Sequence, residues 1–401
     1  MRIAYVANYQ GPTVVARRPI IRNLSMSNRV KVELIARLLH RQSHELVVIS
    51  PGEPSEPRVW PYAAFREPDP FDPDIPVHYA SALRVRRVTG IWSSLSMLRL
   101  LRKWNSQKPF ELLVILNMGW PQLAAAEYAI RVLRIPVILE YEDDFFTSVH
   151  DERPSAVAGA LRSACVRVME KVNGCIGVSP YLLSQLPPRI PRLLLPGVVG
   201  EDVVHAEEGS RDSKENWVVF AGTHIESNGV GPLIEAWKQL NIPGWELHIT
   251  GQGHLTPALK ASAEGVPSIV FHGLVNRAEL VSILSSAKIC INPHRVSDTQ
   301  GMVFAFKIIE YIAAGAHVIT TPMGEMESAL ENAVTYLADN MPSSIAATLR
   351  SAIRQEVYRR TAAAAAQSMY GAAAVSKALA RLVAESVAEF KNRSQPGMHA
   401  S

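Results

Sequence analysis

Short apolar runs alternate with helix-length amphipathic segments along the whole chain, and the alternation starts afresh after a polar stretch at 200–216. A strand buried on both faces reads as a short continuous apolar run, and its parallel neighbour is reached only through a crossover, usually a helix. The pattern therefore specifies an α/β protein with parallel sheets. In the first half, 3–7, 45–50, 112–116, 136–140, 174–178 and 192–195 read as strands. Helices are expected at 29–41, 91–105, 122–133 and 154–171; in the first of these Val32, Ile35, Ala36 and Leu39 recur at helical spacing and mark a core-facing stripe. The second half repeats the rhythm with strands at 217–221, 246–250, 269–272, 289–292, 317–320 and 334–337, followed by a long Ala-rich helical tail from 343 to about 390. The expected organisation is two doubly wound domains facing across a cleft, 1–199 and 217–371, joined by a linker at 200–216.

At 401 residues the chain is long enough for two domains with separate cores, and its 48% hydrophobic and 19% charged composition is that of a globular protein. No run approaches the roughly 18 to 20 apolar residues that cross a bilayer. The opening MRIAYVANY reads as a first strand rather than a signal peptide, so a cytoplasmic location is expected. Cys165, Cys175 and Cys290 lack metal-ligand spacing and sit in apolar surroundings, which points to buried thiols. A net charge of +4 does not by itself imply a nucleic-acid partner. Basic residues do cluster between 84 and 104: Arg84, Arg86, Arg87, Arg99, Arg102 and Lys103 flank Ile91, Trp92, Leu95, Leu98 and Trp104. Such a helix either lies peripherally on an anionic membrane or is a crossover helix with solvated charges.

Two loops interrupt the rhythm. Residues 51–76 hold eight prolines and are expected to form an irregular surface excursion. The loop at 8–27 follows the first strand and carries Arg17, Arg18 and Arg22, which either meet a phosphate or belong to an ordinary surface loop.

The segment 301–322, GMVFAFKIIEYIAAGAHVITTP, is the richest in chemistry. Lys307 and Glu310 lie three positions apart near the start of an expected helix, and Gly315 is placed to stop it. The first N–H groups of a helix lack intrahelical partners and its dipole is positive there, which suits a diphosphate at Phe304, Ala305 and Phe306 with Lys307 beside it. A carboxylate one turn further in, Glu310, suits the hydroxyls of a ribose. This wording resembles the donor-site helix of family 4 glycosyltransferases of the GT-B fold, whose members carry a phrase like P-x-K-x-x-E-Y-x-A-x-G-x-P-V-I.

Three further segments resemble that family in order and spacing. FAGTHIESNGVGPLIEAW, 220–237, is similar to its strand, glycine turn and helix; LHITGQGH, 247–254, to its L-x-I-x-G-x-G turn; and VFHGLVNRAELVSILSSAKICINP, 270–293, to the stretch whose backbone near Gly273 and Leu274 meets the nucleobase. The resemblance covers nearly the whole organisation. It implies two Rossmann-like domains, the C-terminal one (217–371) binding the nucleotide-sugar and the N-terminal one (1–199, with a returning helix at 372–391) on the acceptor side. Gly222 and Gly251 would be the turns where backbone approaches the donor.

The departures fall where the family places charge. Thr223 stands at the usual arginine, Asn228 at the usual lysine, and Met302 at the first of two glutamates eight positions apart, of which Glu310 is the second. Charge-assisted contacts to phosphate are worth roughly 1.5 to 3 kcal/mol each, so Lys307, His294 and Arg295 become candidates to make up the loss. In the first half, ILEYEDDFF at 138–146 ends an expected strand with Glu140, Glu142, Asp143 and Asp144. The resemblance places Glu142 near the family's histidine and Asp143 at its aspartate. The readings are a carboxylate that positions an acceptor hydroxyl or takes its proton, a metal-binding pair of Glu142 and Asp144, and a solvated acidic loop. His224, His254 and His272 have no metal-ligand spacing and read as packing or loop residues.

The function implied is transfer of a hexose from a nucleotide-diphosphate sugar to a glycan or lipid-linked acceptor, with retention and without a bound metal or other cofactor. The missing cations leave a second reading, a GT-B-shaped partner or scaffold of an active transferase. A sugar-nucleotide epimerase fits the four segments less well.

Overall fold

β1 (Arg2–Val6), β2 (Glu45–Ser50), β7 (Leu112–Leu116), β8 (Val137–Tyr141) and β9 (Gly174–Gly177) are short apolar runs, almost wholly buried, and they form the centre of one parallel sheet. The computed structural model describes residues 1–18, 26–53, 58–85, 88–143, 156–210, 214–240, 242–295, 304–323, 328–354 and 360–394. The chain forms two units, Met1–Leu195 with Val375–Ser401, and Pro196–Ala374.

The first unit runs β1, α1 (Pro12–Arg17), α2 (Met26–Arg41), β2, β3 (Arg58–Tyr62), β4 (Phe65–Arg66), β5 (Val77–Tyr79), β6 (Ala82–Arg84), α3 (Thr89–Gln107), β7, α4 (Trp120–Tyr128), β8, α5 (Ala156–Met169), β9, α6 (Pro180–Ser184) and β10 (Arg192–Leu194). Eight of its ten strands form one sheet in the order β10-β9-β8-β7-β1-β2-β5-β4, all parallel except β4 against β5. The predicted stripe on α2 is buried at Val32, Ile35, Ala36 and Leu39, each side chain stabilising the core by roughly 1 to 3 kcal/mol according to its size.

The proline-rich stretch departs from expectation. Its described part carries β3, paired antiparallel with β6 in a two-stranded ribbon, and β4, which extends the main sheet. Pro61 is tolerated in β3 because both strands of a two-stranded ribbon are edges, where a missing N–H is not missed. Arg18 fastens this region. Instead of facing a phosphate it is buried, and it donates to the carbonyls of Gly52 (2.5 Å), Ala63 and Ala80 (2.9 Å each). Burial lowers its pKa to about 10. Arg17 is exposed and lies over the Phe65 ring, and Arg22 falls outside the described residues.

The second unit runs α7 (Glu201–Ser210), β11 (Glu215–Ala221), α8 (Val230–Leu240), β12 (Glu246–Thr250), α9 (Thr256–Ser262), β13 (Ile269–Gly273), α10 (Arg277–Ser286), β14 (Ala287–Asn292), α11 (Phe306–Ala313), β15 (His317–Thr320), α12 (Ser328–Glu331), β16 (Val334–Tyr336), α13 (Pro342–Arg354) and α14 (Arg360–Tyr370). The segment expected as a linker at 200–216 thus holds a helix and the start of a strand. The six strands are parallel in the order β13-β12-β11-β14-β15-β16. Val218, Phe220, Leu247, Ile249 and Ile289 on one face pack with Leu233, Ile234 and Trp237 of α8 and Ile345 and Leu349 of α13.

The expected helical tail is three helices, α13, α14 and α15 (Ala372–Ser394). From Val375 onward the chain belongs to the first unit, where Ser376 accepts from Gln42, Glu389 from Asn173, and Arg393 donates to Lys171. No described helix is long and apolar enough to cross a membrane.

Candidate functional site

In the second unit the chain moves outward from β11 through β12 to β13, then returns to β14 on the other side of β11. The switch point lies between the carboxyl ends of β11 and β14, the place where an open α/β sheet leaves a crevice for a ligand. Four loops meet there through their backbones. Gly222 N donates to Thr250 O (3.3 Å), Gly251 N to Gly273 O (2.7 Å), and Arg295 N to Ser227 O (2.7 Å). Gly251 sits at φ +103°, and a Cβ there would lie 2.0 Å from Gly222 O, so only glycine allows the two turns to close on each other. Gly229, at φ +70°, is held in the same way against Pro293 O.

Lys307, in the first turn of α11, reaches into this junction. Its Nζ lies 3.4 Å from Ala221 O and 4.9 Å from the Phe220 ring centre, and 3.3 Å from where a Cβ on Gly222 would be. Tyr311, one turn further along, fixes the helix by bonding the N and O of Ala221 at 3.0 and 3.1 Å. Lys307 is half-buried and has no carboxylate partner among the described residues. Burial alone therefore acts on it and lowers its pKa to about 8. Nearby, burial first and the Lys307 charge after it depress the His294 imidazole. A desolvated cation beside glycine turns and a helix start with no side-chain cap is an arrangement that binds an anion.

The other expected donor-site residues divide. Phe304 is buried, Ala305 and Phe306 are half-buried at the start of α11, and Gly273, at φ +70°, faces open space before the exposed Leu274. The Asn228 amide is committed to Thr223 O at 2.7 Å, which makes it a brace of its own turn. Arg295 joins the site through its backbone while its side chain is exposed. Glu310 is buried and paired with Arg277 Nη1; Arg277 also grips Asp202 with Nε (2.6 Å) and Nη2 (3.2 Å). Met302 lies outside the described residues.

In the first unit the switch point lies between β1 and β7, and there Asn117, at φ +58°, ends β7. Its Oδ1 accepts from Glu142 N (2.8 Å) and Asp143 N (3.1 Å), and its Nδ2 donates to Asp143 Oδ2 (2.8 Å). Asp143 reaches solvent, yet desolvation by the atoms around it, followed by the Glu142 charge, raises its pKa. Glu142 is held otherwise. Lys31 of α2 binds it at 2.5 Å and the fully buried Glu140 at 3.3 Å, while Tyr5 OH donates to Glu140. Two carboxylates around one buried ammonium outweigh the burial that would otherwise lower the Lys31 pKa, which is raised. Glu142 is thus spent on Lys31, whereas Asp143 is exposed and held by Asn117; Asp144 lies outside the described residues.

Among the described residues one group, His40, Asp72 and Asp74, brings three possible metal-ligand atoms within 4.8 Å of one another, away from the acidic segment in sequence. His224 bonds Thr256, His254 meets Glu226, and His272 shares a hydrogen bond with His248. Two hollows of about 390 and 710 Å³ open between α7 and α10 and at the amino ends of β11 and β12; neither is lined by Lys307. The glycine loops and Lys307 converge instead at the carboxyl ends of the second sheet.

Residues 215–355 match the family model of glycosyl transferases group 1. The resemblance read from the donor-site segments stands. No curated protein matches the sequence. Among solved structures, sucrose-phosphate synthase from Thermosynechococcus elongatus is similar at 13% identity with a TM-score of 0.70, covering 96% of this chain and 99% of that one. Anabaena Alr3699/HepE in complex with UDP-glucose is similar at 12% identity and a TM-score of 0.64, with coverage of 96% and 99%. The trehalose 6-phosphate synthase from Burkholderia multivorans is similar at 12% identity and 0.63, covering 100% and 99%. The fold is GT-B, with two Rossmann-like α/β units.

Lys31, Asn117, Arg277 and Asp202 were not singled out from the sequence. One signal did exist for Arg277. The N-x-x-E capping box, with Asn276 Oδ1 on Glu279 N and Glu279 Oε2 on Asn276 N, starts α10 at Arg277. A cation at a helix N-terminus opposes the dipole, so it calls for carboxylate partners from elsewhere.

Proposed function

We propose that this protein is a glycosyltransferase that moves a hexose from a nucleotide-diphosphate sugar to a glycan or lipid-linked acceptor, with retention of anomeric configuration and without a metal or other cofactor. The observation that carries the reading is Lys307, a desolvated cation with no carboxylate partner among the described residues, at the switch point of the segment matched by the family model. Lys307 and the backbone N–H groups at the start of α11 would hold the diphosphate and stabilise its charge as it leaves. Glu310 would meet the ribose, the backbone at Gly273 and Leu274 the base, and Asp143 the acceptor hydroxyl, which it would orient and relieve of its proton. The neighbour bound to UDP-glucose supports a uridine donor.

The acceptor side has one further feature. Val88, Ile91, Leu95, Arg99 and Arg102 lie exposed along one face of α3 and the residue before it, apolar first and basic after, which supports peripheral contact with an anionic membrane. The second reading, an impaired partner of an active transferase, is favoured by Asn228, whose amide is turned onto Thr223 where the family places a phosphate-binding cation. Calorimetric titration with UDP, GDP and ADP, followed by an assay for slow hydrolysis of the matching nucleotide-sugars, separates the two. Micromolar binding with donor hydrolysis is expected; binding without turnover of donor over any tested acceptor, or no binding at all, defeats the transferase reading and supports the partner role.

A further inference from the structure

Glu310 is buried in the second turn of α11, and a carboxylate removed from water needs a cation or several hydrogen bonds to stay ionised. Arg277 supplies the cation through Nη1 on Glu310 Oε1. The rest of its guanidinium is fixed as a fork on Asp202, whose Oδ1 also accepts from Val203 N at 3.0 Å. One planar group therefore ties the starts of α7 and α10 to the ribose-side carboxylate of α11. Glu310 Oε2 takes no hydrogen bond from any described residue, so it is the oxygen left for a ligand. Arg277 also follows directly on the loop of Gly273 and Leu274, so the base-side loop and the ribose-side carboxylate are linked by a single side chain.

Resting on the donor-site reading above, we infer that Arg277 is a positioning residue that aims Glu310 at the ribose diol and makes nucleotide binding select ribose over a sugar lacking those hydroxyls. A guanidinium fork fixes direction as well as charge, which a lysine ammonium does not. Arg277 acts through Glu310 and contacts no reacting atom.

The test compares dissociation constants of UDP, GDP and ADP with those of their 2′,3′-dideoxy counterparts. Hydrogen bonds to an ionised group are worth roughly 1.5 to 3 kcal/mol, so the wild type should prefer the ribo form by about tenfold or more. In Arg277→Gln that preference should fall towards unity, as in Glu310→Gln, and the double variant should be no worse than either single one. Arg277→Lys should keep part of the preference and serves where Arg277→Gln fails to fold. Asp202→Asn, which weakens the fork that holds Arg277 in place but leaves its Nη1 on Glu310, should lower the melting temperature and reduce the preference only in part. A full preference in folded Arg277→Gln or Arg277→Lys, alongside its loss in Glu310→Gln, would overturn the inference and leave the donor site standing. Failure of the wild type to bind any of the three nucleotides would overturn the donor-site reading and this inference with it.

Discussion

Lys31 and Lys307 are both lysines drawn out of water beside the carboxyl ends of a parallel sheet, one in each unit, and they are held in opposite ways. Lys31 has two carboxylates within 3.3 Å and its pKa is raised; Lys307 has a carbonyl, an aromatic face and glycine turns, and its pKa falls to about 8. Burial favours the neutral form in both cases. What differs is whether the fold itself supplies the counter-charge. Where it does, the cation belongs to the architecture; where no described residue supplies it, as at Lys307, we propose that an anion from solution does so.

The comparison breaks most severely if Lys31 is dispensable. Lys31→Met leaves the buried Glu140 and the half-buried Glu142 together without their cation, and urea denaturation should show a loss of about 3 to 5 kcal/mol. A stability near that of the wild type would mean that the carboxylates are protonated or solvated. Next in size is Asp143→Asn, expected to reduce turnover roughly 100-fold or more with little change in donor affinity, as for loss of a general base. Glu142→Gln should instead affect stability more than turnover.

Lys307→Ala should weaken UDP binding by roughly 10- to 150-fold, the worth of one charge-assisted contact, or abolish it, without lowering the melting temperature. Tight binding in that variant would show that the counter-charge for the diphosphate comes from elsewhere. The smallest effect is the pH dependence. Lys307 holds its proton less firmly in the folded chain, at about 8, than in the unfolded one, at 10.5, so unfolding takes up a proton between these values. Its contribution to stability should rise with pH across that window, while donor affinity falls as pH passes 8 and the charge is lost. Paired measurements on the wild type and Lys307→Ala would expose both slopes; parallel slopes in the two proteins would assign the titration to another group.

The sequence showed the sheets because a buried parallel strand writes itself as a contiguous run, as in β1, β7, β8 and β11. It showed Lys307, Gly222 and Gly251 because turn glycines and helix starts are local features. The ion networks left no such trace. Lys31 meets Glu142 across 111 positions and Arg277 meets Asp202 across 75, and no periodicity records pairings of that separation. The structural role of Arg18 is invisible for the same reason: the carbonyls of Gly52 and Ala80 that it binds are 34 and 62 residues away. In 51–76, prolines predicted irregular chain, but an edge ribbon accommodates Pro61 in β3. The helix of 201–210 was hidden by a polar composition, although Val203 is buried in it.

Because Val375–Ser401 belongs to the first unit, the second unit is threaded into it as an insertion between Leu195 and Val375. On the ribosome, the unit whose synthesis starts first cannot be completed until α15 emerges, by which time all of 196–374 has already left the exit tunnel and can fold. Until then Gly174, whose backbone lies so close to Ser386 in the finished protein that a Cβ would collide with it, presents the bare flank of β9 to whatever chaperone or neighbouring chain meets it first.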